Sequence, residues 1–428
     1  MINLSLDFEN YPLKELKEGA SVFSGFAFKS SDFTNEGIPV IKIKNIQNQH
    51  VNLIDDNEYF PYEKLNKKHE KFILKNNDVL IAMTGQGSLG RVGRIKLSEN
   101  ELMLVNQRVG KFITDEEIFH LNYLYHVLSS KTYEKILFDR GTGSGQPNLS
   151  PEIILGTEVP CPDINAQKKI AYILDKIDDL ILLNKEINHN LETVMKKIYV
   201  NWFEDFEPFR NEEFYDTKLG KIPVGWKIEP LQEFINFQEG PGIRNWQYVE
   251  EDGVNFLNIR CIQNNDLILD TANMISKEEA EGKYSHFMLN EWDIVISSSG
   301  TLGRYAIVRK EHLPLCLNTS IIRFAPKHSF NHYSYVYSYL TSRGFYHYLL
   351  TMGSGSVQLN FGPTHLKQID LIVPPEEVLN KYNDLIFPLI EKMKSLKSEI
   401  DQLIKLRDTL LPKLMSGEID VSKINCDL

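Results

Sequence analysis

Residues 170–198 read IAYILDKIDDLILLNKEINHNLETVMKKI, and this stretch decides the fold. Apolar residues recur in it at gaps of three and four, which is the period of a helix that packs on another helix as a coiled coil. The alternative is an amphipathic helix on a globular core, whose apolar stripe is usually wider and less regular. Asn184 is the one polar member of the predicted seam, and a buried amide there fixes register. The predicted seam comprises Ile170, Ile173, Ile177, Leu180, Asn184, Ile187, Leu191, Val194 and Ile198.

A second run with the same period closes the chain. The pair Glu186-Ile187 in the first run matches Glu399-Ile400 in the second, about half the chain further on. The sequence therefore predicts a long internal repeat, each half of which is a globular segment followed by one long helix. The second seam comprises Tyr382, Ile386, Leu389, Met393, Leu396, Ile400, Leu403, Arg407, Leu410 and Leu414, and Arg407 is its one charged member.

The composition is that of a globular protein. A chain of 428 residues is long enough for two ordinary domains plus helices. Residues 1–16 lack the basic and apolar regions of a signal peptide, and no apolar run approaches the length of a membrane span. The four cysteines show no metal-ligand spacing, so we expect a reduced, cytoplasmic compartment. A net charge of -11 argues against a protein that coats nucleic acid, although local basic surfaces remain compatible with it.

The globular segments share a series of motifs in the same order. In the first, the apolar run of residues 78–83 leads into a glycine turn that ends at Arg91, and the region of Gln107 and a Gly-Ser-Gly loop follow. In the second, residues 293–297 lead into a turn that ends at Arg304, and Thr319 and another Gly-Ser-Gly loop follow. Each loop is either an unstructured surface segment or a backbone that follows a phosphate chain, with amide side chains that read base edges.

The glycine turn of residues 85–90 spells G-x-G-x-x-G, a pattern found in dinucleotide-binding proteins. Residues 92–96 read as a strand, however, so no helix N-terminus follows to bind a phosphate. The second copy keeps only Leu302-Gly303-Arg304 of the motif. The turn is therefore predicted to be structural or DNA-binding and not a cofactor site.

Two copies of this motif order, each followed by proline and a long helix, resemble the specificity subunit of a type I restriction-modification system. Residues 198–203 (IYVNWF) resemble the end of that family's central helix, and residues 410–419 (LLPKLMSGEI) resemble the end of its C-terminal helix. The resemblance covers nearly the whole chain. It implies an α+β protein with two similar mixed α/β target-recognition domains, separated by long helices that form an antiparallel coiled coil with pseudo-twofold symmetry.

The resemblance also implies a function and partners. Each domain would read half of a split double-stranded DNA target with unread bases between the halves. Two methyltransferase subunits would bind the helices, carry S-adenosylmethionine and modify adenine. Two restriction subunits that use ATP and Mg²⁺ join such complexes in some systems. This chain itself would hold no cofactor or metal and would not be an enzyme.

The predicted limits are residues 1–162 and 205–375 for the two domains, 163–204 and 376–416 for the helices, and 417–428 for a tail. The expected DNA contacts come from a strand at residues 38–46, the matching segment at residues 253–260, both glycine turns, the segments after them and both Gly-Ser-Gly loops. They are Lys42, Lys44, Thr84, Ser88, Arg91, Gln107, Arg108, Ser144, Gln146, Asn148, Asn258, Arg260, Ser298, Thr301, Arg304, Thr319, Ser354, Ser356, Gln358 and Asn360.

Two other classes of function stay open at this point. A coiled-coil scaffold with two carbohydrate- or peptide-binding domains would share the helices and the repeat but would not bind duplex DNA. A two-domain enzyme would need catalytic residues, and the sequence contains no H-E-x-x-H motif, no G-x-S-x-G motif and no Cys/His pairing. A binding assay on duplex DNA with the methyltransferase present separates the first two classes.

Overall fold

The structure, a computed structural model, describes residues 11–47, 49–53, 56–142, 147–352 and 360–424. It divides into two compact units. Unit 1 comprises residues 1–181 and 402–428, and unit 2 comprises residues 182–401. Both units combine sheets with helices, and each takes a portion of both long helices.

Unit 1 is built on a six-stranded sheet with the strand order β2-β10-β7-β8-β5-β4. Its centre is β7, whose residues are all buried, with β8 and β10 antiparallel on either side. The strands are β1 (Leu13–Glu15), β2 (Ala20–Ser24), β3 (Ile38–Ile41), β4 (Ile46–Gln47), β5 (Gln49–Val51), β6 (Tyr59–Phe60), β7 (Val79–Ala82), β8 (Val92–Arg94), β9 (Leu104–Val105), β10 (Val109–Thr114) and β11 (Glu158–Pro160). The helices are α1 (Leu121–Leu128), α2 (Lys131–Gly141), α3 (Pro151–Leu155) and α4 (Ile164–Tyr199), which continues as a π-helical segment (Val200–Glu204).

Unit 2 repeats this centre in a sheet with the order β15-β24-β21-β22, where the buried strand β21 takes the place of β7. Its strands are β12 (Phe214–Thr217), β13 (Gly220–Pro223), β14 (Lys227–Pro230), β15 (Ile235–Glu239), β16 (Tyr248–Val249), β17 (Gly253–Phe256), β18 (Ile262–Gln263), β19 (Asp266–Leu267), β20 (Asn273–Ser276), β21 (Ile294–Ser297), β22 (Tyr305–Ile307), β23 (Leu315–Cys316), β24 (Ile321–Pro326) and β25 (Asp370–Val373). Its helices are α5 (Leu231–Phe234), α6 (Lys277–Glu281), α7 (Tyr333–Leu340), α8 (Arg343–Met352), α9 (Pro363–Leu366) and α10 (Glu376–Ser416).

An aspartate precedes each of the central strands β7 and β21 and accepts a hydrogen bond from the backbone three residues earlier. The carboxylate of Asp78 accepts a hydrogen bond from the Lys75 N–H at 2.8 Å, and that of Asp293 accepts one from the Asn290 N–H at 2.7 Å. Burial raises the pKa of Asp293. Matching strands, turns and capping aspartates confirm the predicted internal repeat and the mixed α/β fold class.

Within each unit the long helices run antiparallel. In unit 1, Arg407 of α10 donates to Asp178 of α4 at 3.0 Å, and Lys169 donates to the Ser422 carbonyl at 2.8 Å. In unit 2, Lys397 lies 3.9 Å from Glu192, and the rings of Trp202 and Tyr382 are 5.5 Å apart. In both units, residues further along α4 contact residues that lie earlier in α10 and the segment after it, as an antiparallel pair requires.

The seam of α10 follows the prediction at most positions, and that of α4 follows it at alternate positions. On α10 the buried members are Tyr382, Ile386, Met393, Leu396, Ile400, Arg407 and Leu414, whereas Leu389, Leu403 and Leu410 are half-buried. On α4 the predicted Ile170, Ile177 and Asn184 are buried, but Leu180 and Val194 are exposed. The buried residues between them include Leu174, Ile181, Asn188 and Met195, each one position after a predicted member.

The predicted strand at residues 38–46 is only partly correct. β3 ends at Ile41, and a 3₁₀ turn follows at Ile43–Asn45. The side-chain Oδ1 of Asn45 accepts the Lys42 N–H at 2.9 Å, which closes the turn. Lys42 and Lys44 therefore lie after the strand and not within it.

Candidate nucleic-acid interface

Three segments of unit 1, at residues 83–86, 107–108 and 147–149, converge at the C-terminal end of β7. The Met83 N–H donates to the Arg108 carbonyl at 3.0 Å, and the Leu149 N–H donates to the Met83 carbonyl at 2.8 Å. Together they line an open cleft of about 700 Å³. The cleft is lined by Met83, Thr84, Gly85, Gln86, Gln107, Arg108, Pro147 and Asn148.

Unit 2 builds the same junction at the end of β21. The Ser298 N–H donates to the Ser320 carbonyl at 2.9 Å, and the Phe361 N–H donates to the Ser298 carbonyl at 3.0 Å. Met83 therefore corresponds to Ser298, Arg108 to Ser320 and Leu149 to Phe361. Asn148 and Asn360, both predicted sites, correspond as well, since they bridge to Thr84 and Ser299.

Two asparagines outside the predicted set shape these junctions. The Oδ1 of Asn106 accepts the Arg108 N–H at 3.3 Å, and that of Asn318 accepts the Ser320 N–H at 2.8 Å. Such a bond from side chain to backbone two residues on is the usual asparagine turn, and the signal for it is an asparagine at the same place in both repeats. Their role is to hold the backbone of the neighbouring candidate residues.

A glycine in each unit lets a further segment approach this turn. A Cβ on Gly25 would lie 2.3 Å from the Asn106 carbonyl oxygen, and one on Gly240 would lie 2.5 Å from the Asn318 carbonyl carbon. The next residue in each case accepts a hydrogen bond: Phe26 from the Gln107 N–H at 2.9 Å and Pro241 from the Thr319 N–H at 3.2 Å. Only glycine fits where the two backbones are this close.

Three of the four predicted arginines are engaged within the protein. The Nε of Arg91 lies 3.4 Å from Glu134 of α2. Arg304 donates to the Ile262 carbonyl at 3.4 Å, and its own N–H donates to the Ser297 hydroxyl. Arg260 donates to Asn258 Oδ1 at 3.2 Å and to the Thr271 carbonyl at 3.0 Å, so both predicted residues help to fold one turn.

The guanidinium of Arg108 makes no hydrogen bond or ion pair with any residue in the described ranges, although its backbone is fixed on both sides. Arg108 and Gln107 are both exposed. Of the predicted arginines, Arg108 is therefore the one whose side chain is available to a ligand.

Some of the predicted lysine, serine and threonine side chains are exposed, whereas others are already paired or buried within the protein. Lys42 pairs with Glu58 and lies 4.0 Å above the Phe33 ring, and Lys44 pairs with Asp56 at 2.8 Å.

Ser298 is fully buried, so the side chain at the surface is that of Ser299 instead. Ser88 donates to the Thr84 carbonyl at 3.2 Å, and the backbone carbonyl of Thr301 accepts from the Ser297 hydroxyl. Thr319 is exposed beside its junction.

Five predicted contacts, Ser144, Gln146, Ser354, Ser356 and Gln358, lie outside the described residues. Within the described ranges, no three His, Cys, Asp or Glu side chains are grouped so as to hold a metal ion. Among the helices of that same part of the chain, none is long and apolar enough to cross a bilayer.

Comparison with known proteins places this geometry in a family. The model of the type I restriction modification DNA specificity domain matches residues 6–193 and again residues 223–406. The chain belongs to this family. The two matches fall on the two halves of the repeat, and each contains one of the junctions described above.

Two relatives in the family match over most of their length. The MjaIX specificity subunit of Methanocaldococcus jannaschii is 29% identical, with 97% of this chain and 95% of the relative covered. The EcoBI specificity subunit of Escherichia coli is 22% identical, with 94% of this chain and 84% of the relative covered. A solved S subunit of a type I system from M. genitalium shares the fold with a TM-score of 0.56 at 18% identity, with 97% and 98% covered.

Proposed function

We propose that this chain is the DNA-reading subunit of a type I restriction-modification complex, and that its two units read the two halves of a split target separated by bases that neither reads. One observation carries the proposal. Both units build the same backbone junction, with Met83, Arg108 and Leu149 in one and Ser298, Ser320 and Phe361 in the other, but they line it with different side chains. Two junctions with the same backbone arrangement but different side chains are suited to read two half-sites of different sequence.

The long helices would bind two methyltransferase subunits. Each unit exposes large apolar side chains on its portions of α4 and α10, although such side chains are usually covered when they lie close together. They are Leu180 and Leu406 in unit 1, and Leu183, Val194 and Leu385 in unit 2. Each unit would therefore supply one partner-binding surface, which accounts for two copies of the partner.

The chemistry would belong to the partners. S-adenosylmethionine would bind to the methyltransferase subunits, which modify adenine, and ATP and Mg²⁺ would bind to a restriction subunit where the system has one. This chain would select the DNA sequence and transfer nothing itself. The purified chain alone should therefore show no methyl transfer from labelled S-adenosylmethionine, and transfer by the lone chain would overturn this assignment.

The decisive experiment exchanges one reading unit. Residues 220–375 are replaced by the corresponding segment of another family member, and methylated adenines are mapped in cells that also carry the methyltransferase. One half of the methylated sequence should change while the other half stays the same. If both halves changed together, the two units would not read independently.

A non-catalytic scaffold with two ligand-binding domains is the competing function. It predicts that the chain together with its methyltransferase selects no sequence from a duplex DNA library. Sequence selection in that assay would exclude the scaffold, and its absence would exclude the DNA-reading function.

A further inference from the structure

The backbone junctions of the two units differ at one position that affects which base each unit can read. Arg108 in unit 1 corresponds to Ser320 in unit 2, because each residue's carbonyl accepts the N–H at the end of the central strand. An arginine fork can bond to both O6 and N7 of guanine in the major groove, which a serine hydroxyl cannot do. The two units therefore differ in their capacity to read guanine.

The backbone of Arg108 is held in place before any ligand arrives. Its carbonyl accepts the Met83 N–H at 3.0 Å, its N–H donates to Asn106 Oδ1 at 3.3 Å, and the preceding Gln107 N–H donates to Phe26 at 2.9 Å. The guanidinium itself has no partner in the described part of the chain. A fixed backbone with an unpaired guanidinium is a suitable arrangement for a specific contact, since only the side chain has to be ordered on binding.

The surroundings of Arg108 favour a base edge over a phosphate. Arg108 is the single cation among the described residues that line the cleft, and its polar neighbours are mainly the amides Gln86, Gln107 and Asn148. Strong phosphate binding gathers several cations. Amides also contact phosphates, but in a groove they pair with the mixed donors and acceptors of bases, beside which one arginine can bond to guanine.

We infer that Arg108 reads a guanine in the half-site bound by unit 1, and that unit 2 has no equivalent guanine contact at Ser320. This inference rests on the proposed function and adds to it the base and the unit responsible. The other predicted arginines differ from Arg108 in this respect, because Arg91, Arg260 and Arg304 are held by contacts inside their own units.

The test uses the full chain assembled with its methyltransferase and a duplex library randomised over the target. In Arg108→Gln, discrimination in favour of guanine should fall about 5- to 150-fold at one position of one half-site, which is the range for one bidentate contact. All other positions should stay as in the wild type. Arg108→Lys keeps the charge and should keep the salt-dependent affinity for unrelated DNA. Arg210→Gln, which removes an exposed arginine from unit 2, is the control for net charge.

The outcomes separate the inference from the proposed function. An equal loss of affinity for all sequences in Arg108→Gln, with recovery in Arg108→Lys, would identify a phosphate contact and overturn the inference. Unchanged selection in Arg108→Gln would also overturn it. Neither result would affect the proposed function. If the wild-type complex selected no sequence, the proposed function would fail, and the inference would fail with it.

Discussion

Asp178 and Arg407 form a buried ion pair in the seam of unit 1. Asp178 is 2% exposed, and its Oδ1 accepts from Arg407 at 3.0 Å. Asp178 has a second arginine partner, since Arg94 lies 3.7 Å from its other oxygen, so removing Arg407 leaves Asp178 partly paired. We expect Arg407→Met to lower the free energy of unfolding by about 1.5–3 kcal/mol, the range for a hydrogen bond to a charged group, as measured by urea denaturation.

The same pair has a control and a compensating variant. Lys413→Met breaks the exposed pair with Glu418 in the same unit and should cost about 0–1 kcal/mol. Asp178→Leu combined with Arg407→Met removes both charges and should cost less than the sum of its two single variants. A double variant as unstable as the sum of its single variants would contradict this account.

His312 should make unit 2 sensitive to mild acid. Burial and the neighbouring Arg309 lower the pKa of His312 to about 4, and its Nδ1 accepts the Arg309 N–H at 3.0 Å. In the unfolded chain an ordinary histidine titrates near pH ~6.5. Between these values the unfolded state binds the extra proton, so this contribution is complete above pH ~6.5 and is lost as the pH falls towards 4.

The loss should reach about 3 kcal/mol in the free energy of unfolding. Thermal or urea unfolding at pH 7 and at pH 4.5 measures it. His312→Asn keeps an acceptor near the Arg309 N–H and should flatten the pH dependence, whereas His347→Asn, at an exposed position of the same unit, should not. Equal slopes for the wild type and His312→Asn would show that His312 is not held neutral.

At the scale of elements, the reading junction depends on a close approach between two backbones. Gly25→Ala would place a Cβ 2.3 Å from the Asn106 carbonyl oxygen, so the segment that carries Arg108 has to move. We expect a loss of about 1–3 kcal/mol in unfolding free energy and weaker DNA binding by the assembled complex. Gly240→Ala should act in the same way in unit 2.

Each unit also has a glycine that serves as a control. A Cβ on Gly87 or Gly242 would meet no atom within 4 Å. Gly87→Ala and Gly242→Ala should therefore change unfolding free energy by less than about 0.5 kcal/mol. Gly87 is also the middle glycine of the G-x-G-x-x-G pattern, so a severe loss of function in Gly87→Ala would revive the phosphate-loop interpretation.

The seam of α4 shows where sequence reasoning loses precision. Ile170 and Ile177 are each followed by apolar residues at both gaps, Ile173 and Leu174 after the first and Leu180 and Ile181 after the second. Both choices have the period of a coiled coil, and only the neighbouring helix decides which one is buried. On α10 the same choice arises at Leu389 or Ile390 and at Leu410 or Leu411, and the second residue of each pair is the buried one.

The sequence likewise predicts only part of the candidate site. The order of strand, turn and loop was readable because it occurs twice, and the predicted Gln107, Arg108 and Asn148 all line one cleft. Which arginine is free could not be read, since Arg91 is engaged by Glu134 and Arg304 by the Ile262 carbonyl. Both partners lie some forty positions away along the chain.

At the scale of the whole molecule, α4 and α10 each supply residues to both units, and their division falls after Ile181 and after Asp401. A heptad inserted at both places keeps the seams in phase. It also leaves the pair of Asp178 with Arg407 and the pair of Arg309 with Asp401 intact, because each pair lies within one unit. The insertion therefore changes helix length without removing a described contact inside either unit.

We predict that this insertion changes the number of unread bases between the half-sites. Seven residues add about 10 Å of helix at ~1.5 Å per residue, which equals about three base pairs at ~3.4 Å each. Three base pairs also rotate one half-site by roughly 100° about the DNA axis, so methylation should slow even at the new spacing. Methylation mapping on plasmids with varied gaps should show the same two half-sequences with a gap longer by about two to four base pairs. An active variant that kept the original gap would show that helix length does not set the spacing.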